Sequence, residues 1–158
     1  MCDFIGKRDD DQAWQLNPDI FAAIDADMAF GGLGGHSVDM FADEYNCQLP
    51  AFWSRWWCQA SSGKDAFSQS WQGGNGFANP PFVLIPRVVA EARRRRVAIT
   101  LVTEDNPAAV YWPLVRDGAH GVIACRTWPA RRTNFLVDGA PLLRLPRHGV
   151  RVVRLDFR

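Results

Sequence analysis

Apolar positions in this chain come in short runs, each closed by glycine, proline or a polar cluster. In "NPDIFAAIDADMAF", 17–30, Ile20, Phe21 and Ile24 fall at helical spacing. Asn17 is placed to cap that helix and Pro18 to occupy its first turn. "GGLGG", 31–35, ends it. A dinucleotide-type phosphate loop follows a strand and opens a helix; this run precedes the strand expected at "SVDMFA", 37–42, so it reads as a flexible connector. "DEYNCQLPAFWSRWWC", 43–58, is irregular and aromatic, and 59–76 reads as loop with one short extended piece. A strand through "GFA" stops at about Ala78, because the prolines that follow lack a ladder donor.

The second half is more regular. "VLIPRVVAEARRRR", 83–96, predicts a helix with Leu84, Val88 and Ala92 on one face, Ile85 and Val89 beside it, and Pro86 in the first turn. "VAITLVT", 97–103, is short, continuous and β-branched, the pattern of a strand buried on both faces. A short helix over 107–118, closed by Gly118, precedes a second buried strand, "GVIAC", 121–125. "RTWPARRTN", 126–134, reads as a basic loop, and "HGVRVVRLDFR", 148–158, alternates like an edge strand or hairpin partner. Strands alternating with helices imply an α/β fold with a mostly parallel sheet, whose ligands bind at the carboxyl ends of the strands. "VDMFAD", "FANPPF" and "LVTED" are the candidate strand ends that carry polar or unusual groups.

Composition narrows the class. The 158 residues suffice for one core, read as a tail over 1–12 and a single domain over 13–158. A net charge of +1 provides no global field for nucleic acid, so any basic surface is local. Cys2, Cys47, Cys58 and Cys125 lack CxxC spacing and read as reduced thiols, and His36, His120 and His148 show no metal spacing with them. No apolar run reaches the roughly 18–20 residues of a membrane span, and the polar start is no signal peptide. An intracellular protein without metal or membrane partner is the expectation.

Asn79-Pro80-Pro81-Phe82 carries the most specific chemistry. An exocyclic amine on a nucleobase is a poor nucleophile because its lone pair is delocalised into the ring. Accepting hydrogen bonds from both of its N–H groups favours a more tetrahedral nitrogen. An asparagine oxygen supplies one acceptor, and a main-chain carbonyl freed from the ladder by proline supplies the other. An aromatic ring next in line can stack on the base, worth roughly 1–3 kcal/mol.

These residues match the (D/N)PP(Y/F/W) motif of amino-group DNA methyltransferases. With Trp14, Asn17-Pro18, "VDMFADEYNCQLPAFW", "DAFSQSW", "PRVVAEARRRRVAITLVT" and "YWPLV" in the same order, the chain resembles phage-type DNA N6-adenine methyltransferases. It is more similar still to the methyltransferase-like domain that follows ribonuclease H in DIRS-type retrotransposon polyproteins. The resemblance implies a Rossmann-like sheet with flanking helices and S-adenosylmethionine as methyl donor. It implies that Asp39 lies by the donor's methionine moiety, with Phe41 and Ala42 in the same pocket, and that Asp65 and Phe67 lie by its adenine. Asn79, Pro80, Pro81 and Phe82 would hold the target amine, and Trp14 and Pro18 would close the cofactor side. The expected substrate is adenine in DNA, flipped or single-stranded because the amine otherwise lies inside the stack. Without a separate recognition domain, sequence preference would be weak or conferred by a partner, such as the rest of a polyprotein. The chain departs from the family pattern in having Asn17-Pro18 for Thr-Pro, a longer "GGLGGHS" stretch, and carboxylates at Glu104 and Asp105. Those carboxylates would repel a polyanion.

Plainer roles exist for each residue. The Asn79 motif can serve as a strand-to-helix turn, and Asp39 and Asp65 as caps. Arg93–Arg96 suit a solvated helix end. Arg126, Arg131 and Arg132 around Trp128 suit a nucleic-acid backbone, or an ordinary surface. Trp53, Trp56 and Trp57 suit core or lid packing. Two further functional readings follow: a catalytically inactive, retrotransposon-derived module that binds nucleic acid or protein, and a methyltransferase for RNA or for another amine such as a glutamine side chain.

Overall fold

The structure is a computed structural model that describes residues 14–158. The tail read over 1–12, and Cys2 with it, lie outside the described residues. The chain opens with β1 (Trp14–Leu16) and α1 (Pro18–Ala26), followed by β2 (Val38–Asp39), β3 (Trp53–Ser54), β4 (Gly63–Lys64) and β5 (Gly76–Ala78). Then come α2 (Ile85–Arg95), β6 (Ala98–Asp105), α3 (Trp112–Val115), β7 (Val122–Trp128), β8 (Phe135–Val137), β9 (Ala140–Pro141) and β10 (Gly149–Asp156).

The architecture is mixed α/β around a five-stranded sheet in the order β2-β5-β6-β10-β7. β2, β5 and β6 are parallel, and β10 runs antiparallel to both β6 and β7. The sheet is therefore mixed rather than mostly parallel. β3 and β4 form a separate parallel pair, joined to β2 by a single parallel bridge from Asp39 to Phe52.

Local chemistry sets the element ends. The Asn17 side chain accepts the Asp19 N–H at 2.8 Å and Pro18 opens α1, as the sequence predicts. The helix stops at Ala26, short of the expected 30, because Asp27 turns extended and its carboxylate accepts the Ala29 N–H. β5 ends at Ala78, before the prolines. α2 closes at Arg96 in the left-handed region, with φ 55°. Arg94 and Arg95 pair with Glu91, and Arg95 also reaches the Phe67 and Gln69 carbonyls, so this helix end is partly tethered.

Side chains of β6 and β10 alternate between two apolar layers. Ile99, Leu101, Val153 and Leu155 pack with Ile85, Val88, Val89 and Ala92 of α2. Val102, Val150, Val152 and Phe77 pack with Ile20, Phe21 and Ile24 of α1. Phe21 meets Phe77 edge-on at 4.8 Å.

Five expectations need correction. β10, read as an edge strand or hairpin partner, is no edge: it lies between β6 and β7, antiparallel to both. Its Arg151 and Arg154 lie on opposite faces of the strand, and both are buried because protein groups satisfy them: Val115 O and Asp117 for Arg151, Asn75 and Thr100 for Arg154. β7, read as buried, is the sheet edge, since β10 takes the inner position, and Ile123 is exposed. The basic loop begins only after Trp128, since 126–128 belong to β7. The expected strand over 37–42 pairs only at Val38–Asp39, and the helix over 107–118 is one turn long.

A buried polar chain ties the amino side of the sheet together. Asp25 Oδ1 accepts the His36 N–H and contacts His36 Nδ1, both at 2.7 Å. His36 Nε2 meets Thr100 Oγ1 at 2.7 Å, and Arg154 donates to that oxygen at 3.2 Å and to Asn75 Oδ1 at 2.6 Å. With Nδ1–H donating to Asp25, Nε2 accepts the threonine proton. The Asp–His–Thr order is that of a nucleophile relay, but Thr100 is fully buried and lines neither of the two cavities around Met40 and Trp53, so the chain is structural. Asn75 Nδ2 in turn donates to the Gly31 and Phe30 carbonyls, which pins the glycine run instead of leaving it loose. Gly35 sits at φ 71°, and a Cβ there would meet the Asp25 carboxylate at 2.9 Å.

Burial holds the His36 pKa below 6.5, against the pull of Asp25. The folded protein thus binds fewer protons here than the unfolded chain between that lowered value and 6.5. This contribution to stability is complete above pH 6.5 and is lost as pH falls below it. Relative to His36→Gln, which does not titrate, the parent should lose stability in urea between pH 7 and pH 5.5; parallel profiles would show that His36 does not contribute.

Candidate functional site

β2, β3 and β4 run parallel, so the segments that follow them emerge on one side. Met40, Phe41 and Ala42 follow β2, Arg55 and Trp56 follow β3, and Asp65, Ala66 and Phe67 follow β4. Together with Trp53, Lys64, and Pro81, Val83, Leu84 and Arg87 around the start of α2, they enclose a cavity of about 550 Å³. The structure therefore gathers Phe41, Ala42, Asp65, Phe67 and Pro81 of the predicted set. Phe67 lies edge-on to Phe41 at 5.6 Å, and the Arg87 guanidinium covers its ring at 3.7 Å. Asp65 adopts φ 60° and caps a 3-10 turn over Ala66–Ser68, accepting from the Phe67 N–H at 3.1 Å and from Ser68 Oγ at 3.0 Å. The capping role and the cavity position hold together.

Asp39 immediately precedes this wall. It is 2% exposed, its Oδ2 accepts the Gln48 N–H at 2.9 Å, and its Oδ1 has no hydrogen-bond partner. Burial pushes the carboxyl up to about 7, and nearby Asp43 adds to the rise. The Gln48 N–H pulls the other way, and the Phe41 N–H does so without reaching hydrogen-bond geometry. It is not a helix cap. Gln48 also donates to the Leu16 carbonyl at 2.6 Å, which fastens β1 to the same loop.

Asn79 leaves β5 two residues beyond Phe77, the register partner of Asp39. It is half-buried, and its side chain forms no hydrogen bond among the described residues. Pro80 and Pro81 are buried. Phe82 does not line the cavity; its ring lies 6.4 Å from Tyr111 and 6.3 Å from Phe135. Tyr111 OH accepts the Glu104 N–H at 3.2 Å, and burial raises the phenol to about 12.

The remaining predicted residues lie elsewhere. Trp14 packs on Phe135 at 5.6 Å through the β1–β8 pairing, and Pro18 is exposed at the start of α1, so neither lines the cavity. Arg126 contacts Asp27 at 3.4 Å and stacks over Trp128 at 5.0 Å, an internal arrangement. Arg131 and Arg132 are exposed, with Arg132 Nε bonded to the Leu142 carbonyl at 2.8 Å. β7 runs in the same direction as β5 and β6, so this loop leaves the sheet on the same side as Asn79. Of the two carboxylates expected to repel a polyanion, Asp105 faces Arg151 at 3.9 Å.

Sequence reasoning missed Lys64, Arg55 and Arg87 as cavity residues. Lys64 and Arg55 directly flank recognised residues, Asp65 and Trp56; Arg87 is an early-helix cation, which sequence alone leaves at the surface. Among the described residues, no three His, Cys, Asp or Glu side chains form a metal-binding group, and no helix is long and apolar enough to cross a membrane. No protein-family model matches the chain, and a search of curated proteins finds no match.

Asp39 makes a stability prediction. With a folded pKa of about 7 against 3.8 unfolded, the folded state binds more protons across that interval, so stability falls as pH rises through it. Asp39→Asn does not titrate. Its stability relative to the parent should rise by up to a few kcal/mol between pH 4 and pH 7 in urea titrations. Parallel profiles would mean that the carboxyl stays ionised in the fold.

Proposed function

We propose that the chain is a Rossmann-like, S-adenosylmethionine-dependent methyltransferase domain that acts on the exocyclic amine of adenine in DNA. The observation that carries this reading is the strand path. From β2 the chain steps outward to β3 and β4, then returns to the other side of β2 as β5 and continues to β6. That order, β4-β3-β2-β5-β6, has the 3-2-1-4-5 pattern of nucleotide-binding sheets, and its direction reverses between β2 and β5. Ligands of such sheets bind outside the carboxyl ends of the strands at that reversal. Asp39 and Asn79 stand at those two strand ends.

The residues present fit the proposed donor. The aromatic cavity suits an adenosine group, with Phe41, Ala42, Asp65, Phe67 and Pro81 as its walls. The unpartnered buried oxygen of Asp39 suits a cationic group. S-adenosylmethionine, when bound, supplies a methyl group activated by its sulfonium. The part left to the chain is positioning. Asn79 Oδ1 is available to accept one amine N–H, and a carbonyl of the Asn79-Pro80-Pro81 turn, freed from the ladder, accepts the other. These bonds shift the nitrogen lone pair out of the ring. Exposed Arg131 and Arg132 would meet the strand's phosphates.

One observation favours the second reading, an inactive nucleic-acid or protein-binding module. Phe82 is engaged with Tyr111 and Phe135 rather than turned to the cavity, as a plain strand-to-helix turn requires.

Calorimetric titration with S-adenosylmethionine, followed by transfer of labelled methyl to single- and double-stranded DNA, separates the two. Asn79→Ala should reduce transfer at least about 100-fold while leaving donor affinity within about twofold; retained transfer would end the proposed mechanism. Donor affinity should fall by up to about tenfold per unit as pH drops below 7, because a cationic ligand requires Asp39 ionised. No binding by a folded protein favours the inactive module.

A further inference from the structure

The charge of the cavity points beyond the proposed methyl donor, which carries a net positive charge. Lys64, Arg55 and Arg87 all line it, against Asp65 as the lining carboxylate. Both Asp65 oxygens are already engaged, one by the Phe67 N–H and one by Ser68 Oγ. Lys64 and Arg87 form no ion pair among the described residues. Arg87 instead sits over the Phe67 ring, 3.7 Å from its centroid, a cation–π contact that holds the guanidinium at the cavity wall. Trp53 and Trp56 supply further aromatic wall, and the volume of about 550 Å³ lies within the range of small-ligand sites. Aromatic walls recognise a planar base, and cations that line the same cavity recognise a phosphate.

We propose that this cavity binds a nucleoside 5′-phosphate, with the base against the aromatic walls and the phosphate on Arg87 and Lys64. The inference stands without the methyltransferase reading. The same chemistry is presented by a free mononucleotide and by the 5′-phosphorylated end of a strand. A phosphate in the cavity would be attracted by both cations, and Arg87 offers it paired donors. An uncharged nucleoside gains only the stacking.

Adenosine, AMP, a 5′-phosphorylated tetranucleotide and S-adenosylmethionine are titrated separately into the full chain by calorimetry. AMP should bind at least about tenfold tighter than adenosine, weaken as salt is raised, and lose at least about fivefold in affinity in Arg87→Ala and in Lys64→Ala. Both side chains are exposed at their positions, so the variants should retain the parent's circular dichroism and thermal midpoint. Tighter binding of the tetranucleotide than of AMP would identify a strand end as the source, and the converse a free nucleotide. Equal affinity for adenosine and AMP, or AMP binding unchanged in both variants, overturns the proposal. Donor binding without AMP binding overturns it and leaves the methyltransferase reading standing; AMP binding without donor binding does the reverse.

Discussion

The short ladders of β2 and β5 depend on the hydrogen bonds of Asn75. β2 contributes two register pairs and β5 three, too few to fix a register unaided. Asn75 holds the chain just before β5: its amide nitrogen donates to carbonyls of the glycine run and its oxygen accepts from Arg154 on β10. Its main-chain carbonyl accepts the Ser37 N–H before β2. Through Thr100 and His36 the same network reaches Asp25 of α1. A one-residue slip would break all of these bonds together and turn Phe77 away from Phe21. The polar chain at one end of the sheet thereby fixes which residues stand at the other, Asp39 and Asn79 among them.

Asp39 costs the fold stability. A carboxyl that is 2% exposed, with one oxygen unpartnered, is disfavoured in its ionised form, and among the described residues no cation pairs with it to offset that. Asp43 and Asn46 nearby, by contrast, exchange reciprocal turn bonds, and the Gln48 side chain donates to the Leu16 carbonyl. Local violations of this kind in an otherwise satisfied structure concentrate at ligand sites. Gly76 fits the same picture of a crowded strand end, since a Cβ there would collide with Met40, the first residue of the cavity wall.

Legibility in the sequence followed how local the determinant was. The Asn17 cap, the proline stop after Ala78 and the amphipathic face of α2 act within a few residues, and each could be read directly. The place of β10 could not. Its two arginines fall on opposite faces of the strand, and only the distant Val115 carbonyl, Asp117, Asn75 and Thr100 make their burial tolerable. β7 misled in the opposite sense, because an apolar run does not say whether another strand will cover it. At the site, Phe41, Ala42, Asp65, Phe67 and Pro81 meet as expected, while Trp14 and Phe82 meet Phe135 instead, a residue with nothing in its local sequence to signal that contact.

The two charge features of the site constrain its ligand more than its shape does. A buried carboxyl at the end of β2 favours a cation, whereas Lys64 and Arg87 at the end of β4 and the start of α2 favour an anion. These lie on separate elements, so one ligand need not neutralise both. A zwitterion satisfies Asp39 with its cationic end and leaves its carboxylate for the arginine and lysine. A nucleotide satisfies the cations alone and leaves Asp39 protonated at its raised pKa, which burial already favours. The carboxyl can therefore remain neutral under an anionic ligand and ionise under a cationic one. On the proposed readings, one proton on Asp39, immediately behind the cavity wall, would distinguish the two ligands without any change in the walls themselves.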